Sequence, residues 1–337
     1  MSRQLRLHES NLLEYLQKIS LLPPGEEARI EAVGDGNINW VRRVRSAGGA
    51  LVVKQARHTL ERFPEYRAST LRLLQEARFY ELARPFDLGG ICPKLLHVDA
   101  EQRVLVLEDL GDCERLDAAL ERGADVSSAC ITLAGFLGRV HAGTRDPKLA
   151  AQFPNDEMRR LHGDHIFNLP YRPNDFPLSP VVAERAREIQ ADAALLATLD
   201  AAHARYLGAG QCLIHGDVQP ANVLLAAGGP KLLDAEIAHL GDPAFDIGQL
   251  LGHLLLPAAA RGEPQVVAPN LRAVWQAYAA EAGASGSDLE YAARYAGIEL
   301  LRRTLGAARV PAVASDAASL AVVETGLRLV RDGLALD

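Results

Sequence analysis

Cysteine is scarce in this chain and has no paired spacing. Four cysteines occur among 337 residues, and no two of them form a Cys-x-x-Cys motif. A disulfide framework or a thiolate zinc site needs cysteines that are numerous or closely spaced. We therefore expect free, buried thiols in a reducing compartment at all four positions, which are Cys92, Cys113, Cys130 and Cys212.

Long apolar runs and a surplus of basic residues are also missing. The most apolar stretch, residues 250–260, is too short to cross a bilayer and contains His253 and Pro257. The N-terminal residues up to Gln17 carry charges throughout and lack the apolar core of a signal peptide. Acidic residues outnumber basic ones by 43 to 36, whereas nonspecific nucleic-acid binding needs a basic surface. We expect a cytoplasmic protein that binds neither a membrane nor a nucleic acid.

The most informative motif that is present is HGDVQPAN at residues 215–222. Asp217 is followed five positions later by Asn222, and Asp234 and Glu236 come at the end of the next apolar segment. In a kinase catalytic loop, an aspartate accepts the proton of the acceptor hydroxyl and an asparagine five residues on binds Mg²⁺. The spacing predicts Asp217 as the base and Asn222 and Asp234 as oxygen ligands of Mg²⁺, with Glu236 as a further ligand that binds directly or through water.

The letters HGD occur a second time, at residues 162–164. This copy has no asparagine at the fifth position and no acidic segment after it. We interpret it as a loop, and a role in shaping the acceptor pocket is the alternative.

Residues up to about 111 show a β-rich pattern. Alternating apolar segments bounded by glycine turns predict three strands, a helix and two further strands, in the order β-β-β-α-β-β. Together with a short N-terminal helix, the predicted segments are 9–19, 31–33, 40–45, 50–54, 66–83, 91–98 and 103–107.

From about residue 117 the pattern is helical, with one hairpin directly after the HGDVQPAN motif. The predicted helices are 126–142, 181–207, 243–256, 267–282, 287–308 and 315–334, and the predicted hairpin strands are 222–226 and 231–234. Residues 153–180 contain five prolines and are expected to form an irregular insert. The fold class predicted is α+β: a bilobal protein-kinase-like fold with a small antiparallel-sheet N-terminal lobe, 1–111, which binds nucleotide, and a mostly helical C-terminal lobe, 112–337, which is catalytic and binds the acceptor.

Lys54 ends the third predicted strand, where kinases place the lysine that binds the ATP phosphates. Its partner should be a glutamate on the following helix. Glu76 is the prediction, and Glu61, Glu65 and Glu81 are the competitors.

Two backbone segments are predicted to contact the nucleotide. Gly34, Gly36 and Asn37 would form the loop that covers the phosphates, although the third glycine of G-x-G-x-x-G is missing. Glu108 and Leu110 fall where the lobes are expected to join, and their backbone groups would bind the adenine edge.

Three charged residues near predicted helix ends have less specific patterns. Asp246 is expected to cap a helix and to brace the catalytic loop. Arg302 and Arg303 lie near the end of a predicted helix, where adjacent arginines are typical of a favourable helix dipole and a solvated surface. Their spacing alone therefore does not favour a substrate role.

With these motifs, residues 25–330 resemble the aminoglycoside phosphotransferase and choline kinase superfamily. The shared features are the HGDxxPxN loop, the DxE pair and the segment GDPAFDIG at 241–248. Several stretches are more similar still to the 5-methylthioribose kinases, namely GDGNIN at 34–39, VVKQA at 52–56, LEDL at 107–110 and ELLRRTLG at 299–306. Those kinases usually continue the catalytic loop as Asp-Leu-His-Thr-Gly, whereas this chain has Asp-Val-Gln-Pro-Ala.

The resemblance implies an ATP-dependent kinase for a small molecule with a hydroxyl group. It also implies that Arg302 and Arg303 help to hold a sugar and that the protein forms a homodimer. The favoured acceptor is 5-methylthioribose or a related pentose.

Two other functions remain as alternatives. An aminoglycoside, choline or homoserine-type phosphotransferase is the first; polycationic acceptors would favour carboxylates in place of two arginines. A nucleotide-binding pseudokinase is the second, and the presence of Lys54, Asp217, Asn222 and Asp234 argues against it. A protein kinase is disfavoured because the short interval from Asp234 to Asp246 leaves no room for an activation segment.

Overall fold

A computed structural model of the chain describes residues 4–33, 39–58 and 68–333. Within these ranges, no helix is both long enough and apolar enough to span a bilayer. The four cysteines are free thiols; three are buried, as expected, and Cys113 is half-buried.

The described residues form two compact units. The first draws on residues up to Leu82 and on Pro93–Asp112, and the second draws on Ala83–Cys92 and on the chain from Cys113 onward. The assignment of nucleotide binding to an N-terminal lobe, and of catalysis and acceptor binding to a C-terminal lobe, remains a prediction.

The first unit is a five-stranded antiparallel sheet with a helix on each face. Its elements are α1 (Glu9–Lys18), β1 (Ala28–Ala32), β2 (Trp40–Ser46), β3 (Gly49–Gln55), α2 (Arg72–Ala83), β4 (Leu95–Asp99) and β5 (Val104–Glu108), and the strand order is β1-β2-β3-β5-β4. The predicted order of elements is therefore confirmed. The strand predicted at 91–98 begins only at Leu95, after Pro93, which has no N–H to donate to a ladder.

Successive side chains of β5 point to opposite faces of the sheet, and each face packs in its own hydrophobic cluster. Val104 and Val106 pack in the cluster that includes α1. Leu105, which lies between them, packs with Leu73 and Ala77 of α2. Side chains with a period of two point to opposite faces of a sheet, so one strand anchors both helices.

The second unit is mainly helical. Its helices are α3 (Leu116–Glu121), α4 (Ser127–Gly143), α5 (Asp156–Gly163), α6 (Pro180–Ala191), α7 (Ala193–Leu207), α8 (Pro243–Ala260), α9 (Ala268–Ala282), α10 (Gly286–Leu305) and α11 (Asp316–Asp332). Its strands are β6 (Glu114–Arg115), β7 (Cys212–Ile214), β8 (Val223–Ala226), β9 (Gly229–Leu232) and β10 (His239–Gly241), arranged as the antiparallel sheets β6-β8-β9 and β10-β7.

The structure corrects three predictions for this unit. Residues 153–180 are not an irregular insert, because they contain α5, a π-helical turn at Asp164–Asn168 and a short 3-10 turn. The helix predicted at 181–207 is two helices that meet at Asp192, whose carboxylate caps α7 by accepting from Leu195 N–H at 2.9 Å. Besides the predicted hairpin, β6, β7 and β10 are present, and strands of two or three residues are too short to show a periodic pattern.

Helix α8 lies at the centre of the second unit and is buried along almost its whole length. At Gly248, a Cβ atom would lie 2.7 Å from Ala292 O of α10, so the two helices are in backbone contact. This close approach fixes α10 against the first turns of α8, where Asp246 lies.

Candidate active site

Lys54 and Glu76 form a buried ion pair in the first unit. Lys54 Nζ on β3 is 2.7 Å from Glu76 Oε2 on α2, and the two side chains are 5% and 1% exposed. Tyr80, one turn further along α2, donates to the other oxygen of Glu76 at 2.9 Å. The ion pair predicted from the sequence is therefore present, and its contact with ATP stays a prediction. Among the competitors, Glu81 is exposed and the other two lie outside the described residues.

The segment after β5 is held by Arg43, an arginine that belongs to none of the sequence motifs. Arg43 on β2 donates to Asp109 Oδ1 at 2.9 Å, to Asp112 Oδ1 at 2.5 Å and to the carbonyl of Gly111 at 2.8 Å. These contacts fix the backbone around Glu108 and Leu110, which are the residues predicted to meet adenine. The N–H of Glu108 donates to the carbonyl of Lys94 at 3.0 Å, so an adenine contact from Glu108 would have to use its carbonyl.

The predicted phosphate-covering loop, with Gly34, Gly36 and Asn37, lies outside the described residues.

The loop that contains the HGDVQPAN motif, the predicted catalytic loop, is hydrogen-bonded to side chains in the first turns of α8. Asp246 is fully buried and accepts from the backbone N–H groups of His215 at 2.7 Å and Gly216 at 2.9 Å. One turn later, Gln249 Oε1 accepts from Val218 N–H at 2.9 Å. Asp246 therefore braces the loop as predicted, but it does not cap the helix.

Asp242 is the residue that caps α8, since its side chain accepts from Ala244 N–H.

His215 connects the loop to the acidic segment behind it. Burial lowers its pKa, so the ring is neutral. Nδ1 accepts from Asp217 N–H at 3.3 Å, and Nε2 therefore carries the proton and donates to the carbonyl of Leu233 at 3.0 Å. Leu233 N–H in turn donates to the carbonyl of Asn222 at 2.8 Å. These hydrogen bonds join the backbone at Asn222 to the backbone at Leu233, the residue before Asp234, so the segments that carry the two predicted metal ligands are held side by side.

The Asp217 carboxylate is oriented by two side-chain amides. Gln219 Nε2 donates to Asp217 Oδ2 at 2.7 Å, and Asn222 Nδ2 donates to the same oxygen at 2.9 Å. Because the Asn222 nitrogen is occupied in this way, its side-chain oxygen is the atom left for a metal ion.

Asp234 has an unusual backbone. It follows β9 in the left-handed region, with φ 63° and ψ 47°. Residues other than glycine adopt this region at some cost, and such strained residues are enriched at functional sites. Glu236, two residues on, is buried, and its carbonyl accepts from Asn155 Nδ2 at 2.7 Å.

Arg302 and Arg303 are buried, so the interpretation as a solvated helix end is wrong. They are 6% and 7% exposed and share Glu299, whose two oxygens accept from Arg302 Nε at 2.8 Å and from Arg303 Nε at 2.7 Å. Burial opposes ionisation of Glu299, but the two guanidinium groups prevail and hold its pKa well below the ordinary value. Arg303 also donates to Gln219 Oε1 at 2.6 Å. Through Gln219, the two arginines are linked to the carboxylate of Asp217.

The histidine of the second HGD sequence, His162, lies close to the Asp217 carboxylate. His162 lies near the end of α5, with Nε2 3.7 Å from Asp217 Oδ1. The interpretation of residues 162–164 as a loop is wrong, because His162 and Gly163 end α5 and Asp164 begins the π-helical turn. The alternative role in shaping the acceptor pocket remains a prediction.

Sequence reasoning missed Glu299 and Gln219, and it considered a functional role for His162 only as an alternative. Glu299 could have been found, because it precedes the two arginines by three and four residues, the spacing of helical ion pairs. Gln219 and His162 owe their positions to tertiary contacts that no local pattern reports.

Comparison with known proteins assigns the chain to a family. The sequence pattern of the phosphotransferase enzyme family matches residues 29–286. The chain belongs to this family. It is 30% identical over 339 residues to a methylthioribose kinase of Pectobacterium atrosepticum, an alignment that covers 83% of this chain and 80% of that protein. A methylthioribose kinase of Yersinia enterocolitica is 29% identical over 359 residues, with 92% and 88% covered.

Two solved structures share the fold of this family member. A choline/ethanolamine kinase family protein from Mesorhizobium loti matches with a TM-score of 0.56 and 18% identity over 94% of both chains. A choline kinase from Cryptosporidium parvum matches with a TM-score of 0.56 and 11% identity over 96% of this chain and 94% of that one. These matches confirm the predicted α+β, protein-kinase-like fold class.

Membership of the family also establishes the reaction class. The chain is an enzyme, a small-molecule kinase that phosphorylates a hydroxyl group, and kinases of this family use ATP.

Proposed function

We propose that this kinase transfers the γ-phosphate of ATP, with Mg²⁺, to a hydroxyl group of a neutral sugar, 5-methylthioribose or a related pentose. The observation that supports this acceptor most strongly is the pair of buried arginines beside the catalytic carboxylate. The names of the curated relatives at about 30% identity favour the same sugar.

The charges around Asp217 disfavour a cationic acceptor. Two arginines and one glutamate leave a net positive charge next to the base. Glu299 and Asp217 act on Arg302 and, against the effect of burial, hold its pKa above the ordinary value. His162 adds no negative charge. Bringing a quaternary ammonium or a polyamine beside buried guanidinium groups would be unfavourable, because like charges repel strongly where water is excluded.

Arg302 is suited to bind a hydroxylated acceptor. Its Nε donates to Glu299, and among the described residues no hydrogen bond is formed by its two terminal nitrogens. A guanidinium group has five N–H donors in a fixed fork, so several remain for hydroxyl oxygens of a sugar.

Asp217 would act on the acceptor hydroxyl itself. With its carboxylate fixed by Gln219 and Asn222, it can orient the hydroxyl toward the γ-phosphate and take up the proton. Positioning of this kind contributes much of the rate in phosphoryl transfer, since the protein forms no covalent bond.

The oxygen donors after Asp217 fit Mg²⁺, which prefers hard oxygen ligands. Asn222 and Asp234 would hold the ion, and Glu236 would do so directly or through water. A bound Mg²⁺ would screen the negative charges of the phosphates. In the first unit, Lys54 would bind the ATP phosphates while Glu76 holds its ammonium group in place.

A panel of acceptors tests this proposal. ADP release is measured by a coupled assay with methylthioribose, ribose, choline, homoserine and an aminoglycoside at equal concentrations. We expect the highest kcat/KM with methylthioribose or another pentose and only background release with choline and the aminoglycoside. Turnover of choline or the aminoglycoside above that of every sugar would refute the proposed acceptor.

A further inference from the structure

His162 lies beside the Asp217 carboxylate and faces Oδ1, an oxygen that has no hydrogen-bond donor among the described residues. Its side chain and that of Asp217 are 11% and 14% exposed, and Nε2 is 3.7 Å from Oδ1. In the described chain, Asp217 Oδ1 is buried and no hydrogen bond reaches it. Buried polar atoms nearly always have a partner, and an exception calls for an explanation such as a catalytic role.

The protonation of His162 can be worked out from its surroundings. Burial lowers its pKa to about 4, even though the charge of Asp217 acts in the opposite direction, so the ring is neutral at pH 7 and has one N–H. Nδ1 is buried and, among the described residues, has no hydrogen-bond partner. A lone pair without a donor is tolerated better than an N–H without an acceptor, so the proton belongs on Nε2, the nitrogen that faces the Asp217 carboxylate.

Packing holds the ring in this orientation. The His162 ring meets Phe245 of α8 edge-on, with centroids 6.3 Å apart. A Cβ atom on the neighbouring Gly163 would lie 2.9 Å from His203 Nε2 and 3.0 Å from the Tyr206 ring, so the end of α5 lies directly against α7. Arg159 strengthens this contact by donating from Nε to the carbonyl of Tyr206 at 3.1 Å. The helix that presents His162 is thus fixed on two sides.

We propose that His162 is a positioning residue for phosphoryl transfer: its Nε2–H donates to Asp217 Oδ1 once the acceptor is bound. The carboxylate is then held by three donors, with Gln219 and Asn222 on the other oxygen. Hydrogen bonds at active sites are often long in the free enzyme and shorten in the complex, which accounts for the separation of 3.7 Å. The inference rests on the proposed role of Asp217 as the base.

Three substitutions, which keep, shorten or remove the hydrogen-bond donor at position 162, test this role. His162→Gln places an amide nitrogen near the position of Nε2, His162→Asn is too short to reach Oδ1, and His162→Leu removes the donor. We expect kcat to fall about 10- to 100-fold in the Asn and Leu variants and to stay within about threefold of the wild type in the Gln variant, because a hydrogen bond to a charged group is lost only in the first two. KM for ATP and for the acceptor should change by less than about threefold in all three variants.

His203→Leu is the matched control. His203 belongs to the same aromatic cluster, stacked on Phe167 with centroids 5.3 Å apart, and its Nε2 is likewise buried without a partner in the described chain. Because His203 also lies against Gly163 at the contact of α5 with α7, the change in kcat of this variant measures the effect of looser packing around His162, and the loss in His162→Leu should exceed it. Equal losses in the two leucine variants would indicate a purely structural contribution of buried histidines and would overturn the inference.

The outcomes separate the inference from its alternatives. An unchanged kcat in His162→Asn, or equal losses in His162→Gln and His162→Asn, would overturn it. A rise in acceptor KM without a loss of kcat would also overturn it, in favour of direct acceptor binding. If the leucine variant does not fold, the two amide variants decide, since both are polar and differ by one methylene group. The rates are measured with whichever acceptor the wild type phosphorylates, so a wrong sugar assignment leaves this comparison intact.

Discussion

Replacing Glu299 with glutamine should destabilise the second unit strongly, although it changes one oxygen into one nitrogen. Glu299 is 1% exposed and accepts from two buried arginines, each at less than 3 Å. Breaking a buried ion pair by removing one partner costs about 3–5 kcal/mol, because the remaining charge is left without compensation. Here two cations lose the same partner, so we expect a loss of at least about 3 kcal/mol, a large part of a typical free energy of unfolding of about 5–15 kcal/mol.

The chain offers its own reporter for this measurement. It has two tryptophans, Trp40 in the first unit and Trp275 on α9 of the second. In a Trp40→Phe background, Trp275 fluorescence follows urea unfolding of the second unit alone. Glu290→Gln is the control. Glu290 lies on α10, the helix that carries Glu299, but it is exposed, so the same change there should cost less than about 0.5 kcal/mol of stability.

The dependence on pH gives an independent check. The folded-state pKa of Glu299 lies well below its unfolded value, which is about 4.3 for a free glutamate. Its stabilising contribution is therefore fully present above that pH and is lost as pH falls through the folded pKa. The difference in the free energy of unfolding between the wild type and Glu299→Gln should be constant around neutral pH and should shrink below about pH 4. A difference of under about 1 kcal/mol at pH 7, or one that does not shrink in acid, would refute the reasoning.

Two further predictions concern the catalytic loop. Asp217→Asn keeps the shape of the side chain but removes the base, so ATP affinity measured by calorimetry should be retained while kcat falls by about 10²–10⁴-fold; near-normal turnover would remove Asp217 from the proposed role. Asp246→Ala leaves the N–H groups of His215 and Gly216 buried without an acceptor, at about 1–3 kcal/mol each, so urea unfolding should show a loss of about 2–6 kcal/mol. A loss below about 1 kcal/mol would show that the loop does not depend on this brace.

The parts of the site that the sequence predicted well are those encoded over short distances. The interval from Asp217 to Asn222 lies within a single turn of the loop, and the ion pair of Lys54 with Glu76 joins consecutive elements of one sheet-and-helix unit. The order of elements in the first unit was predictable for the same reason, since each strand pairs with a neighbour that comes soon before or after it in the chain.

What could not be predicted depends on contacts between distant segments. His162 meets Asp217 only because α5 packs on α7 and α8, and the HGD letters around it gave no indication of that packing. Arg302 and Arg303 have the composition of a solvated helix end, and their burial follows from the close contact of α10 with α8. The strands β7 and β10 are held by each other and by the helices around them, so their sequences show little β periodicity of their own.

At Asp234, the backbone conformation favours glycine, whereas the proposed chemistry requires a carboxylate. The left-handed backbone at this position carries a steric cost of up to about 1 kcal/mol for an aspartate, which tolerates this region better than most residues, and glycine would adopt it without this cost. Glycine would also remove the carboxylate that the proposed chemistry needs. A library of variants selected only for resistance to heat can therefore accept glycine at this position where the relieved strain exceeds the entropy that glycine loses on folding, and the proposed chemistry predicts that such variants are inactive. A screen meant to retain catalysis should keep position 234 constant and seek stability elsewhere in the helical unit.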